Sequence, residues 1–204
     1  MSSDLRDRQL QRLCDVLEAV DPAASTLCAG WDAHDLAVHV WILKRDPLGW
    51  PGAVLPALDL GRSARVRRRW PYAELVRRLR AEPGRIACMP LDRWEGHRHA
   101  LGEYYVHTQD VARRHGIGQP APDEALLAAL WLRVQVAARA LHRRRTPGLV
   151  LARPGGGGGG ERALVTRGPA RVVVTGEPTE LMCWAHGREQ VADVTVTTVG
   201  ESGT

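Results

Sequence analysis

The sequence predicts a mainly α-helical protein that ends in a small α/β domain, and three observations carry that reading. Apolar residues recur at helical spacing through successive segments from residue 4 to residue 142. Cap and turn residues stand where those segments start and stop. Beyond Pro147 the pattern changes to short β-rich runs. The expected division is 1–145 for a helical bundle and 146–204 for a small α/β C-terminal domain, a size for which one large or two small domains are ordinary.

The first helix is expected over 4–20, where Leu10, Leu13, Leu17 and Val20 form one stripe and Asp21-Pro22 ends it. After a turn at 25–30, Asp32 is placed to cap a second helix reaching Lys44, with Asp35 three residues on to suit the positive end of its dipole. Leu36, Val40 and Leu43 give that helix its apolar stripe, and His39 lies on the same stripe. Residues 46–61, with three prolines and three glycines, read as an irregular connection with at most a short helix around 53–58. A third helix starts after Pro71, carries Leu75, Val76 and Leu79, and stops before Glu82-Pro83-Gly84.

A long helix is expected over 93–115, stopped by Gly116, with Leu101, Tyr104, Tyr105, Thr108, Val111 and Ala112 packing inward. Pro122, Asp123 and Glu124 open the next, whose inward residues are Leu126, Leu127, Leu130, Trp131, Val134, Ala138 and Leu141. Strands are expected at 149–152, 163–166, 171–175 and 191–199, with a helix over 179–186. Glycines 155–160 read as a loop between the first two strands, since a strand rather than a helix N-terminus follows them, which argues against a phosphate cradle.

Composition narrows the function. Hydrophobic residues at 44% and charged residues at 25% are globular values. No uninterrupted apolar run of the roughly 18 residues a span requires is seen, and the N-terminus lacks a signal-peptide pattern, so the expectation is a soluble, cytoplasmic protein without membrane association. The four cysteines, Cys14, Cys28, Cys88 and Cys183, form no CxxC pair and read as reduced, mostly buried thiols. The formal charge of +5 is almost all arginine, with Arg62, Arg65, Arg67, Arg68 and Arg69 clustered. No helix-turn-helix, zinc-finger or RNP pattern accompanies them, so a solvated basic face is preferred over a DNA-associated regulator.

Glu103 and His107 stand at i and i+4, a spacing that projects both side chains from one face and can chelate a metal. Asp110 and Arg114 continue that stripe, so an exposed polar face with surface salt bridges is an alternative account. His39 adds a third candidate, because facing helices of a bundle can bring such ligands together. A core histidine can equally be satisfied by hydrogen bonds alone. On residue spacing the two accounts stay open. Asp110 is either a group that orients His107 or a partner of Arg113 or Arg114. Arg188 is a candidate for contacting a carboxylate of a bound small molecule, against the plain alternative of a surface arginine. His97 and His99 read as a solvated helix start in preference to a fourth ligand or a proton shuttle.

LeuCysAlaGlyTrpAspAlaHisAspLeuAlaValHis (27–39) and GluTyrTyrValHisThrGlnAspVal (103–111) resemble the two signature segments of the DinB-like superfamily. Within it they are most similar to the branch that includes mycothiol-dependent maleylpyruvate isomerases and actinobacterial metal-binding proteins. GlyAlaValLeuProAlaLeu (52–58) is similar to a stretch of the latter, and GlyGluProThrGluLeuMetCysTrpAlaHisGlyArg (176–188) resembles the C-terminal domain that often follows the bundle. The resemblance covers residues 5–115 best.

It implies a DinB-like helical bundle with a four-helix core. It also implies that the histidine closing the first segment and the Glu-x-x-x-His of the second bind a metal, which falls on His39, Glu103 and His107. Such a donor set suits zinc and tolerates nickel, iron or manganese, and three protein ligands leave coordination positions open. The resemblance further implies mycothiol as cosubstrate with an electrophilic small molecule, in a transferase or isomerase. A metal-water hydrolase at the same ligands is the enzymatic rival, and a non-catalytic metal-binding protein the other. A monomer or homodimer is expected.

Overall fold

The computed structural model describes residues 2–54, 56–81, 89, 92–144, 146, 148–155, 160–169 and 172–198. Leu55 in the 52–58 segment, the Glu82-Pro83-Gly84 stop, Cys88, glycines 156–159, Arg171 and Val199 lie outside the described residues. The chain divides into two compact units, Met1–Pro120 and Ala121–Thr204. The boundary expected from the change to β-rich runs, at 145/146, lies one helix further along the chain.

In the first unit, α1 (Ser2–Glu18), α2 (Ala33–Arg45), α5 (Tyr72–Arg80) and α7 (Arg98–His115) form the four-helix core. Helix α1 packs along α7 and against α5, and α2 packs on α5 and α7. Leu13 and Leu17 of α1, Leu36 and Ile42 of α2, and Leu75 and Leu79 of α5 are fully buried, each stabilising the fold by about 1.5–3 kcal/mol. Between α2 and α5 run α3 (Trp50–Val54) and α4 (Arg62–Arg69), with short 3-10 turns at Pro47–Gly49 and Pro56–Leu58. The helical content of 46–61 thus begins earlier than the 53–58 expected. Gly52 permits the tight return: a Cβ there would lie 2.4 Å from the Cα of Asp59.

Helix α2 starts as expected. Asp32 accepts from the Asp35 amide at 2.8 Å, Asp35 accepts from the Asp32 amide at 3.4 Å, and the pair forms a capping box. Arg67 of α4 grips both carboxylates, at 2.8 Å to each Asp32 oxygen and 2.6 Å to Asp35. Its hydrogen bonds hold the Asp32 carboxyl below the usual carboxylate range. The basic cluster expected as a solvated face is therefore a helix, with Arg67 engaged on α2 and Arg62 on Asp46 at 2.9 Å.

The single helix expected over 93–115 is two. A short α6 (Asp92–Glu95) and α7 are separated at Gly96 and His97, which both take left-handed backbone conformations, at φ 57° and 68°. Asp92 bridges the break, its carbonyl accepting from the His97 amide at 3.1 Å and its carboxylate from the Ala100 amide at 2.8 Å. His97 also receives Arg6 at 3.0 Å on Nδ1, so this start is structured. Gly116 ends α7 at φ 65°, as the sequence indicates.

The second unit contains α8 (Glu124–His142), capped by Asp123 accepting from the Leu126 amide at 2.8 Å. At 19 residues it is long and apolar enough to cross a membrane by length and composition, with Glu124, Arg133 and Arg139 interrupting its apolar run. One face, with Leu126, Leu130, Trp131 and Val134, is buried, and the helix packs on α9 (Pro178–Ala185). Leu141, expected inward, is 49% exposed; it lies in the last turn, past the buried stretch.

A four-stranded sheet of order β2-β1-β3-β4 completes the unit. Strand β1 (Leu149–Arg153) pairs antiparallel with β2 (Glu161–Leu164) and parallel with β3 (Val172–Thr175), which pairs antiparallel with β4 (Thr195–Thr198). Leu151 faces Ala163 on one side and Val174 on the other. Central β1 is buried along Leu149–Ala152, whereas edge strand β4 is exposed throughout. Strand β2 ends earlier than the 163–166 expected, because the Thr166 hydroxyl turns back to accept from the Leu149 amide and donate to the Thr146 carbonyl. The last strand starts later than 191, since Val191 closes a turn and 192–194 are irregular.

Candidate metal centre

The site lies in the first unit, where α2 supplies His39, α7 supplies Glu103, His107 and Asp110, and the 25–31 loop supplies Cys28. The loop is shaped by Gly30 at φ 79° and by Thr26 donating its amide to the Trp31 carbonyl at 3.2 Å. It is fastened to α7 by the Leu27 amide, which donates to the Asp110 carbonyl at 3.0 Å.

Helical geometry places Glu103, His107 and Asp110 on successive turns. Asp110 is fully buried and His107 is 6% exposed, which excludes the exposed salt-bridge stripe for these two residues. Arg114 departs from them, donating to the Ser25 hydroxyl at 3.0 Å, and Arg113 donates to Gln109 at 2.9 Å. Asp110 engages His107 instead, with 2.9 Å between Nδ1 and Oδ2.

That contact fixes the imidazole. Nδ1 donates to Asp110, and Nε2 faces Glu103 at 3.7 Å. The rings of His39 and His107 meet edge to face with centroids 5.1 Å apart, and Trp31 packs on the other ring of the pair, 4.9 Å from His39. One donor atom each from His39, Glu103 and His107 lies within 4.8 Å of the others. A zinc ion with ligand distances of about 2.0–2.1 Å would hold tetrahedral donors roughly 3.3 Å apart, so a small inward adjustment accommodates it. The donor set and its size fit such an ion.

The electrostatics follow. Burial disfavours charge on His107, yet its hydrogen bond to Asp110 and the neighbouring Cys28 outweigh burial and push its pKa up to about 10 in the metal-free protein. Cys28 donates its thiol to Asp110 Oδ2 at 3.1 Å, so Cys28, His107 and Asp110 make a second, overlapping cluster. Residue types alone assigned Cys28 to the structural thiols. Its place inside the 27–39 segment was the available signal. Cys14 is such a thiol, buried and pushed up to about 11 by that burial. Arg188 belongs to the second unit, where its guanidinium donates to the His186 carbonyl.

Fold and cluster together define a class: a four-helix bundle with side chains that could hold a metal ion on two of its helices, followed by a small α/β unit. Two solved structures share this fold. One is the crystal structure of a histidine-to-alanine mutant of the mycothiol-dependent maleylpyruvate isomerase, with TM-score 0.61, 18% identity, and coverage of 98% of this chain and 94% of that one. The other is the mycothiol-dependent maleylpyruvate isomerase itself, with TM-score 0.56, 17% identity and the same coverage. At these identities the likeness is one of fold, and it extends through both units. No protein-family model matches the sequence, and no curated protein matches it.

Proposed function

We propose that the protein is a metal-dependent enzyme of the cytosol that uses mycothiol to attack an electrophilic small molecule, transferring the thiol to it or adding reversibly to isomerise it. The observation that carries this reading is the convergence of His39, Glu103 and His107 from two helices, within 4.8 Å of one another, in a chain with the fold of the isomerase. His39, Glu103 and His107 would hold the metal, with zinc the preferred ion for two imidazoles and a carboxylate. When bound, such an ion lowers the pKa of a thiol or water at its open position.

The chain's own residues do the rest. Asp110 keeps the His107 proton on Nδ1, so that Nε2 presents its lone pair to the site. Trp31 backs the His39 ring. In the proposed chemistry the thiol sulfur forms a bond to an electrophilic carbon. For transfer that bond persists in the product. For isomerisation it breaks again after rotation about the substrate's former double bond. Arg188 remains a candidate for binding a carboxylate of either molecule.

The test is consumption of maleylpyruvate and a panel of electrophiles by the metal-loaded protein with and without mycothiol. Turnover that requires both mycothiol and metal supports the reading. Hydrolysis independent of thiol would replace it with the metal-water alternative, and no turnover with any electrophile would contradict it.

A further inference from the structure

A cleft in the first unit lies between the C-terminal half of α2 and α4. It has a volume near 300 Å³ and is lined by Trp41, Asp46, Arg65, Val66, Arg69 and Trp70. Trp41 follows His39 by two positions, about 200° around the helix, so the cleft opens on the side of α2 away from the metal ligands.

Its charge is unbalanced. Asp46, the acid in the lining, is paired with Arg62 at 2.9 Å. Among the described residues no carboxylate pairs with Arg65 or Arg69, one turn apart on α4. Arg69 lies over the Trp70 ring at 4.7 Å without an acid partner, while Arg78, at 3.7 Å from the same ring, is anchored by Glu74 at 2.6 Å. Helix α4 contains no acidic residue and buries no side chain fully, so its like charges at i and i+4 oppose the helix unless an anion compensates them. Two indoles and Val66 beside two guanidinium groups form an apolar wall with convergent donors, the composition of a small-molecule site.

We propose that this cleft binds a planar organic carboxylate, its ring packed on Trp41, Val66 and the edge of Trp70 and its carboxylate held by Arg65 and Arg69. A neutral ring satisfies the wall alone and a small carboxylate the arginines alone, so both bind more weakly than the combination. The site is separate from the proposed metal centre and does not depend on its chemistry.

The probe is 2-naphthoate, titrated calorimetrically into the full-length metal-loaded protein, with 2-naphthalenemethanol and acetate as the two half-ligands. The expected result is saturable one-to-one binding of naphthoate, with each half-ligand weaker by about tenfold or more. Arg65→Gln with Arg69→Gln weakens naphthoate by about tenfold or more at an unchanged helical signal. Arg65→Gln alone, at an exposed position, weakens it about threefold even if the double variant folds poorly. His39→Ala leaves naphthoate affinity unchanged. No saturable binding, retention of affinity in both arginine variants, or loss of affinity in His39→Ala, which would place the anion at the metal centre, overturns the proposal.

Discussion

His107 is where three influences meet: a carboxylate on Nδ1, a second carboxylate facing Nε2, and near-complete exclusion from solvent. Removing the charge of Asp110 while keeping its shape tests the first. Asp110→Asn is expected to weaken metal binding by roughly 10- to 100-fold, because the imidazole loses the partner that fixes its tautomer and raises its basicity. Competition against a chromophoric chelator measures it, and an unchanged affinity would show that Asp110 only packs. The metal-free protein should also report the pair through pH. The folded pKa of His107, about 10, lies above its ordinary value of 6.5, so its contribution is fully present below about 6.5 and is lost as pH rises toward 10. Denaturant unfolding of metal-free protein across that window should show falling stability, with a flatter profile in Asp110→Asn. At this scale the sequence displayed Glu103 and His107 through their spacing and His39 through its stripe. Cys28 was hidden, because its contact with Asp110 depends on how a loop docks on a helix 82 residues away, and spacing alone left open whether Asp110 engages His107 or an arginine.

Helices were legible where burial and caps agree. Asp32 and Asp35 announce α2, Asp123 announces α8 and Gly116 closes α7, each by local chemistry that the structure reproduces. Two features escaped that logic. Helix α4 has no apolar stripe to signal it, and it is held by ion pairs to α2 and Asp46. The break before α7 comes from Gly96 and His97, while the apolar period runs through it undisturbed. Because α2 carries His39, its cap bears on the site as well as on the fold. Asp32→Ala removes the capping box and half of the Arg67 grip, and it should cost about 0.5–2 kcal/mol in denaturant unfolding. A change within a few tenths would mean that tertiary packing alone sets the start of α2.

Over the whole molecule, the mainly helical class and the late change to a β-containing unit could be read from periodicity, and the four-helix core from the resemblance of the two signature segments. What α8 packs against could not. Helix α8 has the stripe of a bundle helix, yet it packs on α9, where His142 stacks on Trp184 with centroids 4.6 Å apart. Periodicity says that a helix has a buried face and is silent about what covers it. Fold and donor geometry together support a site for a metal on α2 and α7. The direct measurement is metal stoichiometry by mass spectrometry on the native protein, His39→Ala and Glu103→Gln. Close to one divalent ion per chain in the native protein, with strong depletion in both variants at unchanged helical content, is the predicted result. Equal metal content in all three proteins, or none in the native protein after loading with zinc, would contradict it.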